Sequence, residues 1–247
     1  MNRILFEKDE IRDGVATFGG VRAEHVVRIL HGEVGQTIRT GELDGPVGTS
    51  EILYANGGDG NASCRVSVRV NHFEGSLMPW ADLILAPPRP RVMKRLFPQL
   101  AAMGVGTIVL IGAKKVEKDF WGATLLRDEN LRPLLVDGLM QAGTSIVPKV
   151  EARRNFRKFV SDELDAMFPT GERVVAHPYS ATPGCGGNRD VGARLLLAVG
   201  PEGGWTEEEV ATLEDRGFRR CSLGKRILKT ETAVIALLAK LNREDET

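Results

Sequence analysis

Leu195-Leu196-Leu197-Ala198-Val199-Gly200-Pro201-Glu202-Gly203-Gly204-Trp205 is five apolar residues closed by a glycine turn that carries one acid. An uninterrupted apolar run of strand length fits a strand buried on both faces, as in a parallel sheet flanked by helices. A helix is predicted from Thr206, whose hydroxyl caps it while Glu209 completes a capping box. Val210 and Leu213 face inward, and Gly217 supplies the stop. A strand over 218–223 leads to a second glycine turn, Gly224-Lys225-Arg226-Ile227-Leu228-Lys229. The last helix starts near Thr230-Glu231 and runs through Ala233, Ile235, Leu237, Leu238 and Leu241.

Upstream the same alternation continues. Strands are predicted at 83–86, 107–111, 145–147 and 174–176, with helices over 92–103 and 131–142, which makes 79–247 a parallel α/β domain. The segment Gly184-Cys185-Gly186-Gly187-Asn188 reads as a surface loop. Residues 1–75 have a different period, with short strands at 3–6, 14–18, 37–40, 50–54 and 63–70 and one helix near 22–30. In the last of these strands Cys64, Val66, Val68 and Val70 alternate with Ser63, Arg65, Ser67 and Arg69. That pattern gives one dry face and one wet, partly basic face, and the whole region reads as a small β-barrel.

The 247 residues carry 33 basic and 33 acidic side chains, a balance that argues against a protein coating nucleic acid non-specifically. No apolar run approaches the roughly 20 residues of a membrane span, and a cytoplasmic protein is expected. Cys64, Cys185 and Cys221 are widely separated and read as reduced, buried thiols, with neither a disulfide framework nor a metal pair. Trp80, Trp121 and Trp205 read as packing residues.

Two glycine turns at the carboxyl ends of neighbouring strands are where open α/β sheets bind ligands. The phosphate-loop pattern GxxxxGK[ST] does not occur, and Gly184-Cys185-Gly186 lacks the third glycine of a dinucleotide fingerprint. GxSxG and HExxH are absent as well. The turn 200–204 has an acid and no lysine, which disfavours an anion. S-adenosylmethionine, a positively charged sulfonium nucleoside without phosphates, fits such a loop.

Gly200-Pro201-Glu202-Gly203-Gly204, followed by Leu223-Gly224-Lys225-Arg226-Ile227-Leu228-Lys229-Thr230-Glu231-Thr232-Ala233, resembles the signature of the RsmE family. These are 16S ribosomal RNA uridine N3-methyltransferases of the SPOUT superfamily. Glu24-His25-Val26-Val27-Arg28-Ile29-Leu30 with Val34-Gly35 is similar to that family's N-terminal motif. The resemblance spans nearly the whole chain. It implies an N-terminal PUA-like, RNA-binding β-barrel over 1–75 and a SPOUT domain over 79–247 whose chain forms a trefoil knot, an exception to the usual absence of knots. Lys229 stands where the family usually has arginine, as does His31, and 99–105 lacks the customary charges.

By this resemblance Gly200, Pro201, Glu202, Gly203 and Gly204 form one wall of the cofactor pocket. Leu223, Gly224, Ile227 and Leu228 form the other, with Leu197 beneath. Methylation at uridine N3 requires loss of a ring proton. Glu231 is the candidate to orient or accept it, or else a helix N-terminal acid matching the dipole. Arg226 and Lys229 are candidates to stabilise the uracil oxygens, or else a solvated basic turn. RNA contacts are expected from Arg3, His25, Arg28 and Arg69 and from Arg89 and Arg91, with Lys94 and Arg95 beside them. His25 reads equally as a packed histidine; Arg153, Arg154, Arg157 and Lys158 are further candidates for RNA contact, or else, by their helical spacing, a charged solvent face. The resemblance further implies a ribosomal RNA or small-subunit substrate and a homodimer, without metal. A SPOUT enzyme for another rRNA or tRNA position and a non-catalytic RNA-binding assembly factor are the competing readings.

Overall fold

Short runs broken by Gly, Asp and Pro fold as strands in the computed structural model, which describes residues 1–57, 64–122, 124–178, 185 and 193–242. In the first unit these are β1 (Ile4–Phe6), β2 (Ile11–Arg12), β3 (Val15–Gly19), β4 (Thr37–Glu42), β5 (Val47–Asn56) and β6 (Arg65–Glu74). The sheet order is β1-β4-β5-β6-β3-β2. β1 and β4 pair parallel and the other neighbours antiparallel. From Cys64 to Arg69 the alternation holds, with Val66 and Val68 buried in one core with Phe6, Phe18 and Ile52 while Arg65 and Arg69 face water; Ser63 lies outside the described residues. Helix α1 (Gly20–Glu24) continues as a π-helical stretch, His25–Ile29, and buries Ala23 and Val26 on this core.

Residues 136–147 belong to this unit together with 1–77. The backbone N–H groups of Asn2 and Arg3 both donate to Met140 O, at 2.9 and 3.0 Å. The strand expected at 145–147 does not form. Ser145 N donates to Ser76 Oγ and Val147 N to Asp44 Oδ1, so side chains take the donors a sheet would have used.

The second unit comprises 78–135 and 148–247. Its elements are β7 (Ala81–Leu85), α2 (Pro90–Ala102), β8 (Val105–Ile111), α3 (Asp128–Ala142, within which the division falls) and β9 (Lys149–Arg153). There follow α4 (Phe156–Lys158), α5 (Leu164–Met167), β10 (Glu172–Ala176), β11 (Leu195–Val199), α6 (Glu207–Glu214), β12 (Arg219–Cys221) and α7 (Thr230–Leu241). The six strands run in the order β12-β10-β11-β7-β8-β9, and every pairing is parallel. β7 and β11 are buried at every residue, as central strands covered on both faces must be.

The basic run at 153–158 is not one helical face. Arg153 ends β9, where Glu151 and Glu163 each accept from its guanidinium at 2.6 Å, and the chain bends before α4. The reading of three reduced thiols is also overturned. Cys185 and Cys221 form a disulfide with Cα atoms 4.7 Å apart, and Cys64 alone is free and buried. A sequence separation of 36 hid the proximity that the tertiary fold creates. Apart from Cys185, the glycine-rich insert 184–188 lies outside the described residues. Trp80 and Trp205 are buried, as packing residues should be.

Candidate functional site

The turns after β11 and β12 converge on one cavity of about 580 Å³. Their strands are not direct neighbours, as the sequence suggested; β10 lies between them. The cavity therefore sits over the carboxyl end of β10, with Ala176, His177 and Pro178 as its floor. Parallel strands align their carboxyl ends, and the crevice outside those ends is where open α/β sheets bind ligands.

The first wall is held firmly. Thr206 caps α6 by accepting from Glu209 N, and the Glu209 carboxylate accepts from Thr206 N at 2.8 Å. Trp205 anchors the turn in the core beside Phe156, their ring centroids 5.6 Å apart. A Cβ at Gly200 would lie 2.9 Å from Trp205 N, so only glycine lets the turn close on the tryptophan. Gly204 and Gly224 have φ of +69° and +114° with no atom within 4 Å of a built Cβ, which leaves open space toward which a ligand's surface can come. Trp205 Nε1 is the buried side-chain polar atom without a partner among the described residues.

Gly200, Pro201, Glu202, Gly203 and Gly204 line the cavity, as do Leu223, Gly224, Ile227 and Leu228. Leu197 does not; it is fully buried within β11. Of the residues expected to act on the base, Arg226 lines the cavity while Lys229 and Glu231 flank it on either side of the lining residue Thr230. Lys229 occupies the N-cap position of α7, and Glu231 lies in its first turn with Arg95 Nη2 3.8 Å from its carboxylate.

The candidate RNA contacts divide in two. Arg3 is committed inside the first unit, donating to Gly143 O, Thr40 O and Gly48 O, and burial holds its pKa below the usual arginine value. His25 Nε2 lies 3.1 Å from Met1 O, and burial lowers its pKa, as in the packed alternative. Arg28 pairs with Glu24 and Arg69 with Glu51 at the surface. In the second unit Arg91 is exposed at the start of α2, and Arg89 Nε stands 3.5 Å from Glu202 at the cavity rim.

His177 and Lys115 are among the lining side chains that escaped the sequence reading. His177, 7% exposed, has Nε2 3.4 Å from Glu207 Oε1, and its position just past a buried strand was the available signal. Lys115 comes from the segment after β8, and its Nζ donates to Gly203 O at 2.8 Å. Nothing local in the sequence marks it. Among the described residues no group of three or more His, Cys, Asp or Glu side chains is arranged to hold a metal ion, and no helix is long and apolar enough to cross a membrane.

A family model described as the RNA methyltransferase domain matches residues 76–242. The chain is 28% identical over 242 residues to the ribosomal RNA small subunit methyltransferase E of Treponema pallidum, covering 97% of this chain and 90% of that protein. It is 24% identical to ribosomal RNA small subunit methyltransferase E 1 of Borreliella burgdorferi, over 96% of this chain and 95% of the relative. The crystal structure of a ribosomal RNA small subunit methyltransferase E from Neisseria gonorrhoeae bound to S-adenosyl methionine superposes with a TM-score of 0.71. That alignment covers 97% of this chain and 95% of the other at 20% identity, a likeness of fold.

Proposed function

The chain belongs to the RNA methyltransferase domain family, and on that premise we propose that it transfers the methyl group of S-adenosylmethionine to ribosomal RNA of the small subunit. The observation that carries this reading is the single cavity enclosed by both glycine turns over the end of β10. Its chemistry suits the cofactor. Apolar surface from Val199, Leu223 and Leu237 lies beside the backbone of two glycine turns, matching an adenosine and an aliphatic arm read largely by main-chain groups. When bound, S-adenosylmethionine supplies an electrophilic methyl group on a positive sulfur.

The chain's own residues must then bring a nucleophile in line and manage its proton. The finer proposal is N3 of a uridine in 16S rRNA. Glu231, on the first turn of α7, would hold or accept the N3 proton, and Arg226 and Lys229 would meet the charge growing on the ring oxygens. Arg89 and Arg91 would grip phosphates beside the cavity, and the first unit, as a PUA-like barrel, would hold flanking RNA. A trefoil knot in the second unit, a homodimer and a cytoplasmic location complete the proposal.

Replacing Glu231 by Gln is expected to cut turnover at least about 100-fold, the usual scale of a lost general base, with S-adenosylmethionine affinity by calorimetry unchanged. Unaltered turnover removes Glu231 from the mechanism. Nucleoside mass spectrometry of rRNA from a deletion strain is expected to lack N3-methyluridine. Loss of another methylated nucleoside would reassign the position, and no loss, together with no cofactor binding, would favour an assembly factor.

A further inference from the structure

The turn 200–204 contains an acid and no cation, yet the fold brings a cation to it. The segment following β8 crosses toward this turn and is pinned on the way. Gly112 N donates to Arg153 O at 2.8 Å, and Lys114 N donates to Glu209 Oε1 at 2.7 Å. Glu209 is 7% exposed, and its other oxygen accepts from Thr206 N and Thr206 Oγ1. A buried, fully engaged carboxylate thus fixes the backbone one residue before Lys115. From there the lysine stem lies along the turn, close enough that a Cβ on Gly203 would stand 3.0 Å from Lys115 Cδ. Nζ donates to Gly203 O, and Lys115 is one of the residues that line the cavity.

The charges around it are already matched. Glu202 faces Arg89, and Glu207 faces Arg220 and His177. Lys115 has no acidic partner among the described residues. An ammonium has three N–H bonds, and one is used on Gly203 O. The other cationic lining side chain, Arg226, sits on the exposed second turn with no hydrogen bond or ion pair among the described residues. A preplaced cation without an acidic partner, at the rim of a cavity whose carboxylates Glu202 and Glu207 face other cations, is suited to an anionic group on the ligand.

Resting on the cofactor reading above, we propose that Lys115 reads the α-carboxylate of S-adenosylmethionine, donating to it through the N–H bonds left free by Gly203, and so selects for an intact amino-acid end. Lys115 is then a specificity-determining residue that takes no part in methyl transfer.

The test compares two ligands on the same protein: S-adenosylmethionine and its decarboxylated form, which keeps the sulfonium nucleoside and lacks only the carboxylate. Titration calorimetry on the full chain is expected to show the wild type preferring the intact cofactor by about tenfold, the scale of one hydrogen bond to a charged group. In Lys115→Met that preference should vanish through loss of affinity for the intact cofactor alone, and Lys115→Arg should restore most of it. Gly203→Ala, which displaces the lysine stem, should narrow the preference as well. Because each comparison is a ratio within one variant, partial misfolding cancels.

Equal weakening of both ligands in Lys115→Met would overturn the proposal in favour of a purely structural strap on Gly203. Unchanged affinity for both, with weaker rRNA binding and a salt dependence lowered by about one unit, would assign Lys115 to an RNA phosphate instead. A wild type that binds neither sulfonium compound would sink the cofactor reading itself, an outcome distinct from failure of the lysine alone.

Discussion

The two glycine turns enclose the same cavity but are built to different standards of rigidity. The turn at 200–205 is tied down by Trp205 in the core, by the capping box of α6 and by Glu209 and Lys115 reaching between segments far apart in sequence. The turn at 223–229 has little of this. Ser222 Oγ lies 3.1 Å from Pro178 O and accepts from Gly224 N at 3.2 Å. Beyond it Ile227 is 72% exposed, Leu228 38% exposed, and Lys225 and Arg226 face solvent. A preorganised wall costs little to bind against, whereas an apolar turn left in water gains by being covered. One wall is thus braced by the protein's own contacts, and the other leaves Ile227 and Leu228 exposed.

The contrast is broken most severely at its firm side. Glu209→Ala leaves Lys114 N, Thr206 N and Thr206 Oγ1 without their acceptor. A loss of about 3 kcal/mol in urea unfolding is expected, the range of a buried donor set left unsatisfied. The matching deletion on the loose side, Ser222→Ala, should cost about 1 kcal/mol. Equal losses would show that the two turns are equally braced.

A smaller effect belongs to the segment that joins them. Arg220 holds Glu214 through two hydrogen bonds of 2.8 and 3.0 Å, chiefly for which reason the Glu214 pKa lies below its ordinary 4.5. An acid whose folded pKa is depressed contributes stability above its unfolded pKa and loses it as pH falls through the folded one. Glu214→Gln should therefore cost at most about 0.5 kcal/mol near neutrality, given the pair's exposure. It should also flatten the decline in stability as the pH drops below about 4.5 in denaturant titrations.

Smallest of all for stability is Ile227→Ser. Melting should stay within about 0.5 kcal/mol of the parent, as for other exposed positions, while cofactor affinity measured by calorimetry falls. Unchanged affinity would mean that the second turn is not completed by the cofactor.

Much of the second unit was legible because its signals are local. The strand 195–199 and the helices beginning after Thr206 and at Thr230 lie where apolar runs and capping residues put them. The cavity lining was legible to the extent that it belongs to the two glycine turns. The order of strands was not, and the insertion of β10 between β11 and β12 is what places His177 in the cavity floor. The expected strand at 145–147 failed for a similar reason: three apolar-leaning residues specify a strand only if a neighbouring strand offers its backbone, and here side chains do so first. The disulfide between Cys185 and Cys221 and the disposal of Arg3 on three carbonyl oxygens depend equally on distant partners.

Sequence alone determined where the chain can turn, which runs must be buried, and that two turns of complementary character close the last strands, because glycine, capping residues and apolar periodicity act within a few residues of themselves. Only the tertiary structure decided which strand lies beneath those turns and that a lysine 88 residues away supplies the cation the first one lacks. Such placements are set by which strands pair and by the distant donor that the Glu209 carboxylate meets, and neither partnership leaves a trace in the local pattern.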